Sequence, residues 1–190
     1  YILLRSVAGP ELLRQQIAQA SDPLERQTAQ FVLLYKDLLR GQFATFADDL
    51  KQLPASAPED KLGTSLGYVY SASQTLKLFQ WNGEKAESGY ACPSIAQIAA
   101  TLQADAKNPQ GLNCLGEFIL RNGLDGMPLE QARAAGSLGS TASDFKGETF
   151  SRLDGYKLVI ANAKAPKNDK AYALFRAINC YAPSGYNSCG

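Results

Sequence analysis

The sequence predicts an all-α protein, arranged as an α-solenoid of helix hairpins. Three observations carry that expectation. Apolar residues recur at helical spacing along most of the chain. Pro, Asp, Asn and Ser stand where helices begin, and Gly or Pro where they end. The periodic segments come in successive pairs, each too small to bury its own apolar face.

The elements follow in order. Pro10-Glu11 opens a first helix with Leu12, Leu13, Ile17 and Ala20 along one stripe, since proline suits the first helical position. Asp22 is a natural cap for a second, with Pro23 at its first position and Glu25 complementing the helix dipole. Leu24, Phe31, Leu34, Tyr35 and Leu38 mark its inward face, and Gly41 ends it. A third helix runs through Phe43, Phe46, Ala47 and Leu50 to Pro54. The stretch 54–60, rich in Pro, Ala and Ser, reads as a connection. Leu66 to Trp81 is ambiguous between strand and helix, and its spacing favours helix; Asn82-Gly83 is a turn. Pro93-Ser94 starts a helix with Ile95, Ile98, Ala99 and Leu102 inward, and Asn108-Pro109 breaks it. Leu112, Leu115, Phe118 and Ile119 line its partner, which stops at Asn122-Gly123. A short helix is expected from Met127 to Ala135, loop from Gly136 to Gly147, and a last hairpin from Phe150 to Ala163 and from Asp169 to Ala182. These elements make one helical-repeat domain over 1–190, with subregions 1–54 and 62–190 joined by the Pro-rich connection.

Composition narrows the function classes. The 190 residues are 45% apolar and 19% charged, so the chain can build a core without help from a metal. The net charge is +1, and the densest basic stretch, Lys164, Lys167 and Lys170, is broken by Pro166 and Asp169. That is a solvated loop and helix start, so no nucleic-acid partner is expected. No apolar run approaches the ~18 residues that span a bilayer. The chain begins Tyr1-Ile2-Leu3-Leu4-Arg5, with neither Met nor a basic n-region, which fits a processed or trimmed start after a signal peptide and allows a fragment of a longer protein.

Four cysteines and no histidine suggest two disulfides in an oxidising compartment. Cys180 and Cys189 flank a turn-rich loop, and Cys92 and Cys114 belong to neighbouring elements of the middle hairpin, so those pairings are expected. Four buried thiols are the alternative reading. A zinc site is disfavoured, because there is no CxxC pair and no His.

Without histidine, Ser-His-Asp and Cys-His catalysis are excluded. There is no phosphate loop; Gly63-Thr64-Ser65-Leu66-Gly67 lacks the lysine and reads as a loop at a helix start. Asp48-Asp49 and Glu59-Asp60 are adjacent pairs, which do not share a helix face and read as solvated surface. Glu117 stands inside the apolar segment Leu115–Ile119, where a raised pKa could make it a general acid. A structural pair with Arg121, four residues on, is the preferred reading. Among the aromatics Tyr68, Tyr70, Phe79, Trp81, Tyr90, Tyr181 and Tyr186, three fall at helix ends or loops: Trp81, Tyr181 and Tyr186 are candidate partner anchors. Arg176 and Arg152 are candidate charge partners beside them. No catalytic residue, cofactor or metal is assigned.

The spacing of the pairs resembles degenerate tetratricopeptide-type repeats. The run from Ala171 through Arg176-Ala177-Ile178-Asn179-Cys180-Tyr181-Ala182-Pro183 to Cys189-Gly190, with Cys114-Leu115-Gly116-Glu117-Phe118 and Leu66-Gly67-Tyr68-Val69-Tyr70, resembles the helical-repeat proteins of Gram-negative bacteria labelled outer-membrane-assembly lipoproteins of the YfiO/BamD type. The resemblance covers about two-thirds of the chain in patches, and no lipidated N-terminal cysteine is visible. It implies a periplasmic or outer-membrane-associated scaffold that binds a protein or peptide and associates peripherally with the outer membrane. The alternatives are a histidine-free helical enzyme using carboxylates on envelope polysaccharide, or a small-molecule binding domain in an interhelical groove.

Overall fold

The computed structural model describes residues 1–67, 74–86, 89–131 and 133–190. About half of the chain is helical, and among the described residues there are eight α-helices and very little strand. They fall into two compact units, 1–80 with 127–149 and 81–126 with 150–190. The Pro-rich connection at 54–60 lies inside the first unit.

The first unit contains α1 (Ile2–Ser6), α2 (Pro10–Gln19), α3 (Pro23–Leu39) and α4 (Phe43–Leu50). The capping signals work as the sequence predicts: the Asp22 carboxylate accepts from the Leu24 amide at 3.1 Å, and Pro23 fills the first position of α3. From Gln27 to Leu39 nearly every residue of α3 is buried. Helices α1, α2 and α4 and the 3₁₀ turn Leu76–Gln80 all pack against it. The Phe31 and Phe79 rings meet edge to face with centroids 5.3 Å apart, which ties that turn to α3. Polar pins hold the loop before it: Thr28 and Ser65 hydroxyls lie 2.8 Å apart, and Gln27 donates to Asp60 at 2.9 Å.

The second unit contains a two-residue antiparallel ladder, β1 (Glu84–Lys85) against β2 (Ala91–Cys92), then α5 (Ile95–Ala104), α6 (Pro109–Arg121), α7 (Arg152–Ala161) and α8 (Lys167–Asn179). Ser94 and Gln97 form a reciprocal capping box at the start of α5. Asn108 caps α6 by accepting from the Gly111 amide at 2.9 Å. α6 is to this unit what α3 is to the first: residues Gly111 to Ile119 are all buried, and α5, α7 and α8 pack around it. Gly116 lets Tyr156 of α7 approach α6 closely, because a Cβ there would stand 2.7 Å from the Tyr156 hydroxyl.

Three expectations change. α1 is an additional short helix. The stretch Met127–Ala135 forms turns, not a helix, in its described residues. Met127 and Leu129 are its buried anchors, and a spacing of two suits an extended or turning chain better than a helical face. Within Leu66–Trp81, Tyr68–Ser73 lie outside the described residues, while Leu76–Gln80 is a 3₁₀ turn burying Leu76 and Phe79, which such a turn brings onto one face. Among the described residues, no helix is long and apolar enough to cross a membrane.

Both cysteine pairs are disulfides. Cys92–Cys114 joins β2 to α6, and Cys180–Cys189 closes the loop after α8, each with Cα atoms 5.3 Å apart. Two disulfides point to an oxidising, extracytoplasmic compartment. Thiol titration of the denatured, unreduced protein should find close to zero free thiols, and reduction should lower Tm by roughly 10–20 °C, since each closed loop contributes about 3 kcal/mol. Four titratable thiols in that assay would contradict both bridges.

Candidate functional site

In the second unit, α6 and α8 are joined through one buried carboxylate. The Glu117 side chain is 1% exposed, and it meets three donors. Arg121, one turn along α6, donates to Oε1 at 2.8 Å, so the pair expected from the sequence is present. Arg176 of α8 donates to Oε2 at 2.8 Å, and the Tyr172 hydroxyl donates to the same oxygen. Arg176 Nε in turn donates to the Tyr172 hydroxyl oxygen at 3.0 Å. Burial pushes the Glu117 carboxyl upward, but hydrogen bonds from Tyr172 and Arg121 and the charge of Arg176 outweigh it, leaving the group below its ordinary value. Burial, and then donation to Glu117, push the Tyr172 hydroxyl far up. Near neutral pH this is an anion held among three donors, a clamp between α6 and α8.

The clamp orients a groove. The Tyr172 ring stacks on Tyr90 at 4.1 Å between centroids and 13° between planes. The Tyr90 hydroxyl donates to Asp169 at 2.7 Å and accepts from Asn113 at 3.2 Å. Tyr90, Tyr172 and Phe175 with Gln110 and Asp169 bound an open groove of about 670 Å³. From its edge an apolar stripe continues along α8, where Leu174, Phe175 and Ile178 are exposed, Ile178 to 67%. Tyr181 and Tyr186 extend it into the loop held by Cys180–Cys189, with Tyr186 81% exposed.

Of the residues singled out in the sequence, Tyr181 and Tyr186 therefore lie together on one exposed loop. Arg176 faces inward to Glu117. Trp81 is half-buried, its ring tilted against Phe118 at 5.7 Å. Arg152 is buried at the start of α7 and donates to Asp125 at 2.9 Å. The groove residues Tyr90, Tyr172 and Asp169 were not singled out together. The signal for them was Glu117 itself, a lone carboxylate in an apolar segment that needs donors, and Tyr172 and Arg176, four apart on α8, are the pair that supplies them.

The first unit holds a second charged cluster. Arg14 of α2 makes a two-pronged pair with Asp49 of α4, at 3.2 and 2.9 Å. Asp49 is thus partly buried and paired, not simply solvated surface, whereas Asp48 is exposed and pairs with Lys51. Behind them Asp37 of α3 is 1% exposed, its Oδ2 without a hydrogen-bond partner among the described residues and 4.0 Å from Arg14. Burial, and then the neighbouring charge of Asp49, push the Asp37 carboxyl up to about 7 against the pull of Arg14. A cleft of about 460 Å³ opens beside Arg14 and Asp49, but Asp37 does not line it. Among the described residues no group of three or more Cys, Asp and Glu side chains is gathered to hold a metal ion.

Comparison with known proteins finds no matching family model, no matching curated protein and no matching solved structure.

The two carboxyls make opposite contributions to the pH dependence of stability. Glu117, held below its ordinary value, stabilises the fold above pH ~4.5, and that contribution is lost as pH falls through its folded pKa. Asp37, held above its ordinary value, favours the fold when protonated, so its contribution is lost as pH rises from about 4 to about 7. Urea unfolding between pH 4 and pH 8 should therefore show Asp37→Asn raising stability at pH 8 by roughly 1–3 kcal/mol and much less at pH 4. Glu117→Ala should cost roughly 3–5 kcal/mol at pH 7 by stranding Arg176. An Asp37→Asn variant equally destabilised at both pH values would show that the buried carboxyl is charged and paired.

Proposed function

We propose that this chain is an extracytoplasmic helical-repeat scaffold of the cell envelope that docks a protein or peptide partner on the outer face of α8. One observation carries the reading: Leu174, Phe175 and Ile178, then Tyr181, form a continuous exposed apolar stripe beside an aromatic groove. A row of large apolar side chains left in water on a helix otherwise clamped in place is the signature of an interaction surface. Residues three and four apart along it suit a partner helix or an extended peptide reaching into the groove at Phe175. The loop closed by Cys180–Cys189 limits the motion of Tyr181 and Tyr186, so less entropy is lost when a partner orders them. The helix pairs α2 with α3, α5 with α6 and α7 with α8 support the repeat reading. The disulfides support the compartment, and the resemblance to outer-membrane-assembly lipoproteins supports the periplasmic, outer-membrane-associated placement.

The test is site-specific photo-cross-linking in the cell envelope. A photoreactive phenylalanine at position 175 or 178 should give an adduct of one discrete mass, absent when the probe replaces Asp154 on α7. Leu174→Asp should abolish that adduct while leaving the far-ultraviolet circular dichroism unchanged. Equal labelling from all three positions, or none from 175 and 178, would remove the support for a docking face.

A further inference from the structure

A second site lies in the first unit and rests on different residues. Lys36 belongs to α3, and the whole residue is only 1% exposed. An ammonium has three hydrogens to donate. Among the described residues Lys36 makes one long hydrogen bond, to the Ser6 carbonyl at 3.4 Å, and lies 5.4 Å from the centre of the Phe145 ring. Among the described residues, no carboxylate oxygen comes within 4.0 Å of its nitrogen. The acid whose charge acts on Lys36, Glu130, is committed elsewhere: Arg40 holds it through Nε at 3.2 Å and Nη2 at 2.5 Å. Lys36 is thus a buried cation whose donors are largely unused.

A pocket of about 360 Å³ is lined by Lys36 and Arg133, by the Arg40–Glu130 pair, and by the chain from Gly139 to Ser143. Arg133 donates Nε to the Leu138 carbonyl at 2.7 Å and pairs with no carboxylate among the described residues, so its two outer nitrogens are available. Ser140, Thr141 and Ser143 add hydroxyl donors along the same wall. With Arg40 neutralised by Glu130, the pocket carries the charges of Lys36 and Arg133 without compensation. Two uncompensated cations in a partly desolvated pocket are costly, and a bound anion removes that cost.

We propose that this pocket binds an oxyanion, a phosphate or carboxylate group, held between the Lys36 ammonium and the Arg133 guanidinium and hydrogen-bonded by the hydroxyls of the 140–143 segment. The volume exceeds that of a single phosphate ion, so the group belongs to a small molecule or an exposed chain end that enters anion first. Burial draws the free Lys36 amine down to about 8, against the pull of Glu130 and with the push of Arg40. A bound oxyanion holds the ammonium form. The site is independent of the α8 face, because none of its residues lies in the second unit.

The experiment titrates inorganic phosphate, and separately acetate, into the full chain at pH 7 and follows backbone amide resonances. Saturable shifts at millimolar concentration or below, centred on residues 139–143, are expected for at least one anion. Stronger binding of phosphate points to a phosphate-bearing ligand, and stronger binding of acetate to a carboxylate. Lys36→Met should weaken binding at least tenfold, and Arg133→Gln, at a more exposed position, about fivefold. Should Lys36→Met fail to fold, Arg133→Gln decides alone. No saturable response to either anion at 20 mM would overturn the proposal and leave the pocket to water. An unchanged affinity in Arg133→Gln would overturn it as well.

Discussion

A helix buried on every side must take its charged residues with it into the core, and each unit of this protein is organised by how it meets that requirement. In the first unit α3 carries Lys36 and Asp37 inward. In the second, α6 carries Glu117. An ion without a partner in such surroundings costs several kcal/mol, so partners must be supplied or the charge given up. The three groups take three routes. Glu117 keeps its charge and gains donors from two helices. Asp37 gives its charge up below neutral pH. Lys36 keeps an opening beside it, with donors to spare.

The route taken by Glu117 determines the outside of its unit. Because Tyr172 and Arg176 turn toward α6, the neighbouring positions Leu174, Phe175 and Ile178 turn toward solvent. The same contact stacks Tyr172 on Tyr90 and so builds one wall of the groove. A buried ion pair is weak evidence for stability, since an apolar replacement of like volume often serves as well. Here it fixes which face of α8 points out, and the exposed apolar stripe follows from that choice.

Much of this was legible in the sequence where local chemistry decides structure. Asp22-Pro23 and Pro93-Ser94 read as helix starts, and the Asp22 and Ser94 side chains satisfy the first free amides there; Asn108-Pro109, read only as the break after the preceding helix, also caps α6. The disulfide pairing followed from short spacings. The short α1 escaped because five residues carry too little periodicity to register, and Met127–Ala135 because isolated apolar anchors can mimic a helical stripe. The charged pocket escaped for a different reason. Lys36-Asp37 interrupts Phe31-Val32-Leu33-Leu34-Tyr35 and Leu38-Leu39, a run apolar on all faces, so both charges had to be buried. That inference was open, but the groups around them come from α1, α2 and the irregular 127–149 segment, and no local pattern assigns those.

α3 and α6 are the frame on which each unit is assembled, and native-state hydrogen exchange tests this most directly. Amides from Thr28 to Leu39 and from Leu112 to Ile119 should be the last to exchange in their units, at rates set by global unfolding. Those of α2 and α8 should open earlier. Slower exchange in α2 than in α3, or in α8 than in α6, would contradict a fold built around two charge-bearing central helices.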